Sequence, residues 1–326
     1  MVLVVFLFLT NILTFILYGL DKHKARTGRW RISERFLILF PVIFCGCLGA
    51  LLGMLIWRHK IRKPKFYITI PIFLVLHMTL WGYCLYQDYH LVTTEYDIDL
   101  GLRQDLTIVQ ISDLHNQVFG INEHILLDRI RECDPDIIVV TGDVVDSMHT
   151  SFPTALTFMT RAGEIAPVYY ITGNHEWRFD QERLDTFISS LTSNGVTFLD
   201  DTYVETNGVI LAGISDRSLR SFEENGAYGP FPDGSAVILL AHEPQYTSLY
   251  SYLNADLVLA GHIHGGQIII PGRGGLLSPE VEFFPEYYSG IFDLGGTQMI
   301  VSRGLGNSAV PIRINNYPEI VLVHIS

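Results

Sequence analysis

Five short apolar runs, each ending in a residue type that can bind a metal ion, constrain this chain more than any other feature. Residues 106–111 lead into Ser112-Asp113-Leu114-His115, 137–140 into Gly142-Asp143, and 168–171 into Gly173-Asn174-His175-Glu176. Residues 237–240 lead into Ala241-His242-Glu243, and 257–259 into Gly261-His262-Ile263-His264. Runs of this length that are apolar on both faces fit strands buried between helices. Open α/β sheets bind ligands beyond the carboxyl ends of their strands, so five such endings predict one crevice lined by carboxylates, an amide oxygen and imidazoles.

The segments between the runs read as helices. Asn122 is placed to cap one that buries Ile125, Leu126 and Ile130, and Asp180 starts another that buries Leu184, Phe187, Ile188 and Leu191 before Asn194-Gly195. Later β-like runs at 209–212, 268–270, 299–302 and 320–325 are interrupted by Gly and Pro clusters and predict an added, largely antiparallel sheet. About 230 residues are enough to bury a full core.

The first 90 residues differ in kind. Residues 1–20, 36–57 and 66–86 contain no Asp, Glu, Lys or Arg, and about 20 apolar residues cross roughly 30 Å of hydrocarbon. The first stretch has no basic segment before it and no small-residue cleavage site, and reads as a retained anchor. The expected organisation is a transmembrane module over 1–90 with two or three membrane segments, followed by a second domain over 91–326.

Half of the 22 Lys and Arg residues lie in two loops, 21–35 and 58–65. These read as solvated collars attracted to anionic lipid head groups. Positive loops stay on the cytoplasmic side, which a single crossing between them cannot satisfy. Either 36–57 spans and the rule is broken once, or Pro41, Gly46, Gly49 and Gly53 mark a re-entrant segment and the third stretch carries the following domain outside. The second reading is the one taken here, although glycine also suits tight helix contacts.

After residue 90 there is no lysine, and 31 acids face 11 arginines for a formal charge of −20. Such a surface repels nucleic-acid phosphates, so no nucleic acid is expected as a partner. Cys133 is the one cysteine in that part, which argues against a disulfide framework or a thiolate metal site.

Carboxylates, an amide oxygen and neutral imidazoles suit manganese, iron, zinc and similar divalent ions. Asp113, His115, Asp143, Asn174, His242, His262 and His264 are too many ligands for one ion and fit two that share a carboxylate. Two metal ions roughly 4 Å apart lower the pKa of a bridging water and steady an in-line displacement at phosphorus, so hydrolysis of a phosphoester is the expected reaction.

In this order, Asp-x-His, Gly-Asp, Gly-Asn-His-Glu, His and Gly-His-x-His resemble the calcineurin-like metallophosphoesterase superfamily over residues 106–266. The resemblance implies a four-layer αββα sandwich and two divalent metal ions, manganese favoured. It implies a first ion on Asp113, His115, Asp143 and His264, and a second on Asp143, Asn174, His242 and His262. Asp143 would bridge, and His175 would face the leaving-group oxygen as general acid or transition-state stabiliser. Gly266-Gln267-Ile268, Ser302-Arg303-Gly304-Leu305-Gly306, Pro311-Ile312-Arg313 and Tyr317-Pro318-Glu319-Ile320 are similar to the YkuE/YaeI-like branch, which includes UDP-2,3-diacylglucosamine pyrophosphatases. That implies phosphodiester or lipid-linked substrates at a bacterial plasma membrane, with the catalytic domain beyond it. Residues 17–72 resemble a small bacterial membrane domain of unknown function, which implies no activity.

Other residues carry weaker expectations. Arg303 and Arg313 are scarce cations suited either to clamp a phosphate or to form buried ion pairs. Residues 283–288, Phe-Phe-Pro-Glu-Tyr-Tyr, read as hairpin packing in preference to an acyl or base pocket. Glu176 reads as orienting His175 or the loop in preference to binding metal, and Asp146 as either a partner of a ligand or a helix cap. His124, His149 and His324 lie outside the motifs and read as structural or solvated. The rival class is a non-catalytic or regulatory membrane scaffold that reuses the fold. Such a scaffold is expected to have lost ligands, and none is missing.

Overall fold

The computed structural model of the chain describes residues 2–225, 231, 234–307 and 312–326; Pro311 of the tail motif lies outside them. The chain divides into two compact units, Met1–Cys84 and Leu85–Ser326.

The first unit contains α1 (Val2–Arg26), α2 (Glu34–Ile43), α3 (Cys47–Ile56), α4 (Pro64–Tyr67) and most of α5 (Thr69–Tyr89). Two stretches, Val4–Arg26 and Pro64–Tyr89, are long and apolar enough to cross a membrane. The middle stretch is not one helix. It breaks between α2 and α3, where Cys45 takes a left-handed φ of 54°, and each ten-residue half rises only about 15 Å. Asn11 of α1 fixes the break: its Nδ2 donates to the Cys45 carbonyl at 3.1 Å and its Oδ1 accepts the Gly49 N–H at 2.8 Å. A Cβ on Gly49 would lie 2.0 Å from the Asn11 carbonyl oxygen, and one on Gly53 would lie 2.8 Å from Tyr18 Cβ. The glycines therefore serve both the break and the tight helix contact.

The two basic loops are tied together instead of lying open to solvent as simple collars. Asp21, fully buried, accepts the Ile32 N–H at 2.9 Å and meets Arg31 at 3.2 Å, His59 Nε2 at 2.7 Å and Lys60 Nζ at 3.5 Å. Glu34 pairs with Lys60 at 2.7 Å and also with Lys63 and Lys65. Sequence pattern misses this because the pairing joins positions 26 to 39 residues apart.

The second unit holds two six-stranded sheets. The first combines β1 (Val92–Ile98), β2 (Leu106–Ile111), β3 (Ile137–Thr141), β4 (Val168–Ile171) and β5 (Thr197–Phe198) with the last strand, β14 (Glu319–Ile325), in the order β1-β14-β2-β3-β4-β5. The second combines β6 (Thr202–Thr206), β7 (Val209–Gly213), β8 (Ala236–Leu240), β9 (Leu257–Ala260), β12 (Gly290–Asp293) and β13 (Gln298–Val301), in the order β12-β13-β9-β8-β7-β6. A small hairpin, β10 (Ile269–Ile270) with β11 (Gly274–Gly275), stands apart from both sheets.

Period-two alternation explains the layers. Ile108, Val139 and Ile171 point between the sheets to meet Ile238, Leu240 and Leu259. Val109, Val140 and Tyr170 point outward under α6 (His124–Glu132), α7 (Phe152–Ala162) and α8 (Gln181–Ser193). Val237, Leu239 and Val258 do the same beneath α9 (Asp216–Asn225) and α10 (Thr247–Tyr252). The result is the αββα sandwich. Gln110 crosses it, its Nε2 donating to Ala260 O at 2.8 Å and Thr141 Oγ1 at 3.0 Å.

Three expectations are corrected. The late runs do not form an added antiparallel sheet: β7 lies parallel to β8, β13 parallel to β9, and β14 enters the first sheet parallel to β1 and antiparallel to β2. Their partners are remote in sequence, which local pattern does not reveal. Asn122 does not cap α6, because it and Glu123 are both left-handed at φ 52° and 61°; Ile125 is exposed and Leu127 is buried in its stead. Ile188 is only half-buried, whereas Asp180 caps α8 through the Arg183 N–H at 3.0 Å.

Gly49→Ala is expected to lower the melting temperature of the detergent-solubilised protein, with overpacking costs of about 1–3 kcal/mol. Gly82→Ala, where nothing lies within 4 Å of the new Cβ, is expected to leave it unchanged.

Candidate metal centre

The five strand ends do converge, but from two sheets: β2, β3 and β4 from one, β8 and β9 from the other. Each chain segment must turn sharply off its strand to aim a side chain into the crevice. Asp113, His115, Asp143, His262 and His264 accordingly have left-handed backbones, with φ between 46° and 71°. Such conformations cost on the order of 1 kcal/mol each in residues with a Cβ. Glu176 holds the Asp143 turn, its buried carboxylate accepting the N–H groups of Asp143, Val144, Val145 and Gly173 at 2.8–3.2 Å. Gly261 is required by close approach: a Cβ there would sit 1.9 Å from Ser112 Oγ and 2.5 Å from Asp113 Oδ2.

All seven sequence-predicted residues come together. On one side His115 Nε2 and His264 Nε2 are 3.0 Å apart, with Asp113 Oδ1 at 3.6 Å from His264 and Asp143 Oδ2 at 3.5 Å from His115. On the other, His242 Nε2 lies 3.2 Å from Asn174 Oδ1, 3.2 Å from His262 Nδ1 and 3.3 Å from Asp143 Oδ2. One carboxylate oxygen, Asp143 Oδ2, thus faces both groups, and the two histidines of Gly261-His262-Ile263-His264 are parted between them. Asp113, His115 and His264 set donor atoms within 4.8 Å of one another, as do Asp143, His242 and His262, which suits a shared cation in each place.

The outward ring nitrogens have partners that fix the rings. His264 Nδ1 meets Gly306 O at 3.1 Å and His242 Nδ1 meets Thr141 O at 2.8 Å. His262 Nε2 meets the Glu280 carboxylate at 2.5 Å. His115 Nδ1 has no hydrogen bond and faces Asp146 Oδ2 at 3.7 Å. Sequence reasoning missed Glu280, which stands in an irregular loop 18 positions after its partner with no motif to flag it. Of the two roles left open for Asp146 the first holds: Oδ2 faces His115 and His175, while Oδ1 does not cap α7 and accepts the Met148 and His149 N–H groups in a turn.

The electrostatics fit a cation site. Burial pushes the His115 imidazole down to about 3 and His264 to about 4, so both are neutral and able to ligate. Burial also lowers His242, but the Asp143 and Asp113 carboxylates outweigh it and pull it well above its ordinary value. For Asp143 and Asp113 burial raises the carboxyls, and the surrounding imidazoles more than offset it. The cluster carries negative charge that a bound cation would neutralise.

His175 sits at the edge of this cluster, nearly buried. Its backbone N–H donates to Asp143 Oδ1 at 2.8 Å, and its Nδ1 accepts the Ser147 N–H at 3.1 Å. A neutral ring with Nδ1 accepting carries its proton on Nε2.

Arg313 and Arg303 are not placed to clamp a substrate. Arg313 is fully buried and donates to the Arg303 and Gly306 carbonyls, and Arg303 pairs with Glu319 at 2.6 Å. Residues 283–288 divide: Tyr287 packs edge-on against Phe292, but Phe283 and Phe284 are exposed, contrary to a wholly packed hairpin.

Residues 106–266 match the family model described as calcineurin-like phosphoesterase. The chain therefore carries a calcineurin-like metallophosphoesterase domain, and the class this defines is a metal-dependent phosphoesterase. Residues 11–66 match a second family, described as a protein of unknown function (DUF1294). The chain is 29% identical over 258 residues to the metallophosphoesterase YkuE of Bacillus subtilis, covering 74% of this chain and 88% of that protein. It is 25% identical over 319 residues to a transmembrane protein with metallophosphoesterase domain from Danio rerio, covering 87% and 69%. Among solved structures, a dimetal phosphatase from Danio rerio aligns with a TM-score of 0.38 at 13% identity, over 61% of this chain and 88% of that one.

Glu280→Ala is expected to weaken manganese binding about tenfold or more, read by titration of the metal, with Glu280→Gln intermediate because it keeps an acceptor for His262. Equal affinity in all three proteins would mean that the carboxylate does not orient the ring.

Proposed function

We propose that the chain is a membrane-anchored, dinuclear metal-dependent phosphoesterase that hydrolyses a phosphodiester or pyrophosphate bond of a lipid-linked or nucleotide-linked substrate. The observation that carries this reading is Asp143 Oδ2, a single buried oxygen set between two clusters of donor atoms. One ion would be held by Asp113, His115, Asp143 and His264, the other by Asp143, Asn174, His242 and His262. Manganese is the favoured metal, and iron or zinc suits the same donors. Two such ions supply Lewis acidity, lowering the pKa of a water and offsetting charge on the phosphoryl oxygens.

The chain's own groups do the rest. A water oxygen attacks phosphorus as its proton passes to solvent, the bond to the leaving oxygen breaks in line, and the neutral His175 ring stabilises the charge left on that oxygen through a hydrogen bond from Nε2–H. Asp143 Oδ1 and the Ser147 N–H hold the His175 backbone and ring in place. Exposed Val281, Phe283 and Phe284, in the segment that brings Glu280 to His262, support an apolar portion in the substrate. No ligand position is missing, so nothing favours the scaffold reading.

His175→Ala is expected to keep its metal content by elemental analysis while kcat for bis(p-nitrophenyl) phosphate falls about a hundredfold or more. Asp143→Asn is expected to lose metal, and chelation of the wild type to abolish turnover. Wild-type turnover in Asp143→Asn would remove the mechanism.

The reading places the phosphoesterase domain outside the cytoplasm. Its support lies within the first unit, where Asp21 and Glu34 gather both basic loops at one place and the stretch between them is a broken pair of short helices. A re-entrant α2–α3 pair keeps both loops cytoplasmic, and α5 then crosses outward. Alkaline phosphatase fused after Ser326 is expected to be active in intact bacterial cells, whereas activity only of a cytoplasm-restricted reporter would reverse the topology.

A further inference from the structure

We propose that an anion subsite flanks the metal centre on the Asn174 side and takes a second phosphoryl group of the substrate, so that the bond broken lies in a diphosphate. The proposal rests on the phosphoesterase reading above and narrows it. A cavity of about 390 Å³ adjoins Asn174 and is lined by Trp177, Arg178, Asp216, Arg217 and Arg220. Residues 91–326 contain 11 arginines and no lysine, so three of the domain's 11 fixed cations stand around one cavity beside a candidate metal ligand. Scattered surface arginines in so acidic a domain would be expected to sit among acids. Here Arg220 is met by Asp216 and Glu243, and Arg178 and Arg217 line the same cavity.

Each side chain has a definable part. Arg220 is held by Asp216 at 3.1 Å and by Glu243, so its charge is met and it forms a fixed wall. Arg217 lies over the Trp177 ring, 5.6 Å from its centroid, and is exposed toward solvent. Arg178 reaches Ser147 Oγ at 3.4 Å, and the N–H of that same serine fixes the His175 ring. The cationic wall therefore adjoins the leaving-group side of the site. Trp177 Nε1 is withdrawn from solvent without a hydrogen-bond partner, a state that buried N–H groups rarely keep. Guanidinium forks are donors with no acceptor capacity, a set that fits a phosphate with its several oxygens.

The chemistry agrees. Attack by water, whose proton passes to solvent, forms a bond to the scissile phosphorus and breaks its bond to the bridging oxygen of the diphosphate. The electron pair of the broken bond leaves on a phosphate monoester. That group's second ionisation lies near pH 6, so it needs neutralisation of charge more than a full proton, and Arg178 and Arg217 supply it.

The test is calorimetric titration of ADP and of AMP into the manganese-loaded full chain in detergent. The base and sugar are common to both ligands, so the ratio of affinities reads the second phosphoryl group alone. Wild type is expected to bind ADP at least about tenfold more tightly than AMP. The Arg178→Ala/Arg217→Ala pair is expected to bring the ratio within about twofold at unchanged metal content, and Arg217→Glu alone, on an exposed side chain that folding does not need, to lower it too. Equal affinities in wild type, or a ratio that survives both variants, would overturn the subsite. Manganese-dependent hydrolysis of bis(p-nitrophenyl) phosphate, measured in parallel, separates the two ideas. Its absence with the ratio intact removes the phosphoesterase reading and leaves the subsite standing; its presence with a ratio of one removes the subsite alone.

Discussion

A buried carboxylate between two clusters of imidazoles is the interaction on which the second unit depends. Asp143 has no access to water, and an isolated ionised carboxylate in such a place would cost several kcal/mol. It is offset by what surrounds it: the His175 N–H on one oxygen, the His115 and His242 rings on the other. Those groups come from β2, β4 and β8, so meeting the needs of one side chain requires both sheets to end at the same place. Gln110, clamping Ala260 to Thr141 just beneath, ties those ends together.

The left-handed backbones at the ligand positions follow from the same demand. A strand that simply continued would carry its next side chains to alternate faces of the sheet. To put Asp113 and His115, or His262 and His264, into one crevice the chain must leave extended geometry at once, and the turns brace one another: the Asp113 and His115 N–H groups donate to the Gly142 and Asp143 carbonyls, the His262 N–H donates to Asp113, and Glu176 gathers four N–H groups of the β3 and β4 turns. Glu176 thus acts on the metal centre through the backbone, which is why its place beside His175 in the sequence reveals a role without revealing how it works.

How far the sequence could be read follows from this. The ligand-bearing strands were legible because each carries its first candidate ligand two or three residues after an apolar run; counting ligands implies a shared carboxylate, and the family resemblance identifies it as Asp143. Glu280, Arg178 and Arg217 were not legible: they reach the site from loops and short turns whose paths depend on packing. Arg303 and Arg313 stayed open between clamp and buried pairing, since scarcity alone does not choose; Glu319 and the Gly306 carbonyl beside them decide for the second. The late strands were recognised as strands but not as members of the two main sheets, because strand partners far apart in sequence leave no local mark. In the first unit the pattern gave three apolar stretches of equal length. Asn11, pinned to Cys45 and Gly49, divides the middle one.

Charge separates the two units as sharply as hydropathy does, and this bears on selectivity. Residues 91–326 carry a formal −20 with no lysine. An anionic substrate is therefore repelled by most of the domain's surface and attracted only where positive charge is concentrated. Two such places stand side by side: the metal centre, once its ions are bound, and the arginine-lined cavity next to Asn174. A substrate with one phosphoryl group would be held by the first alone. Under the proposed subsite one with two adjacent phosphoryl groups would be held by both, which would fix its orientation with the group at Arg178 and Arg217 nearest His175. The acidity of the domain, which at first only argues against nucleic acid, thus sharpens the choice among phosphoesters.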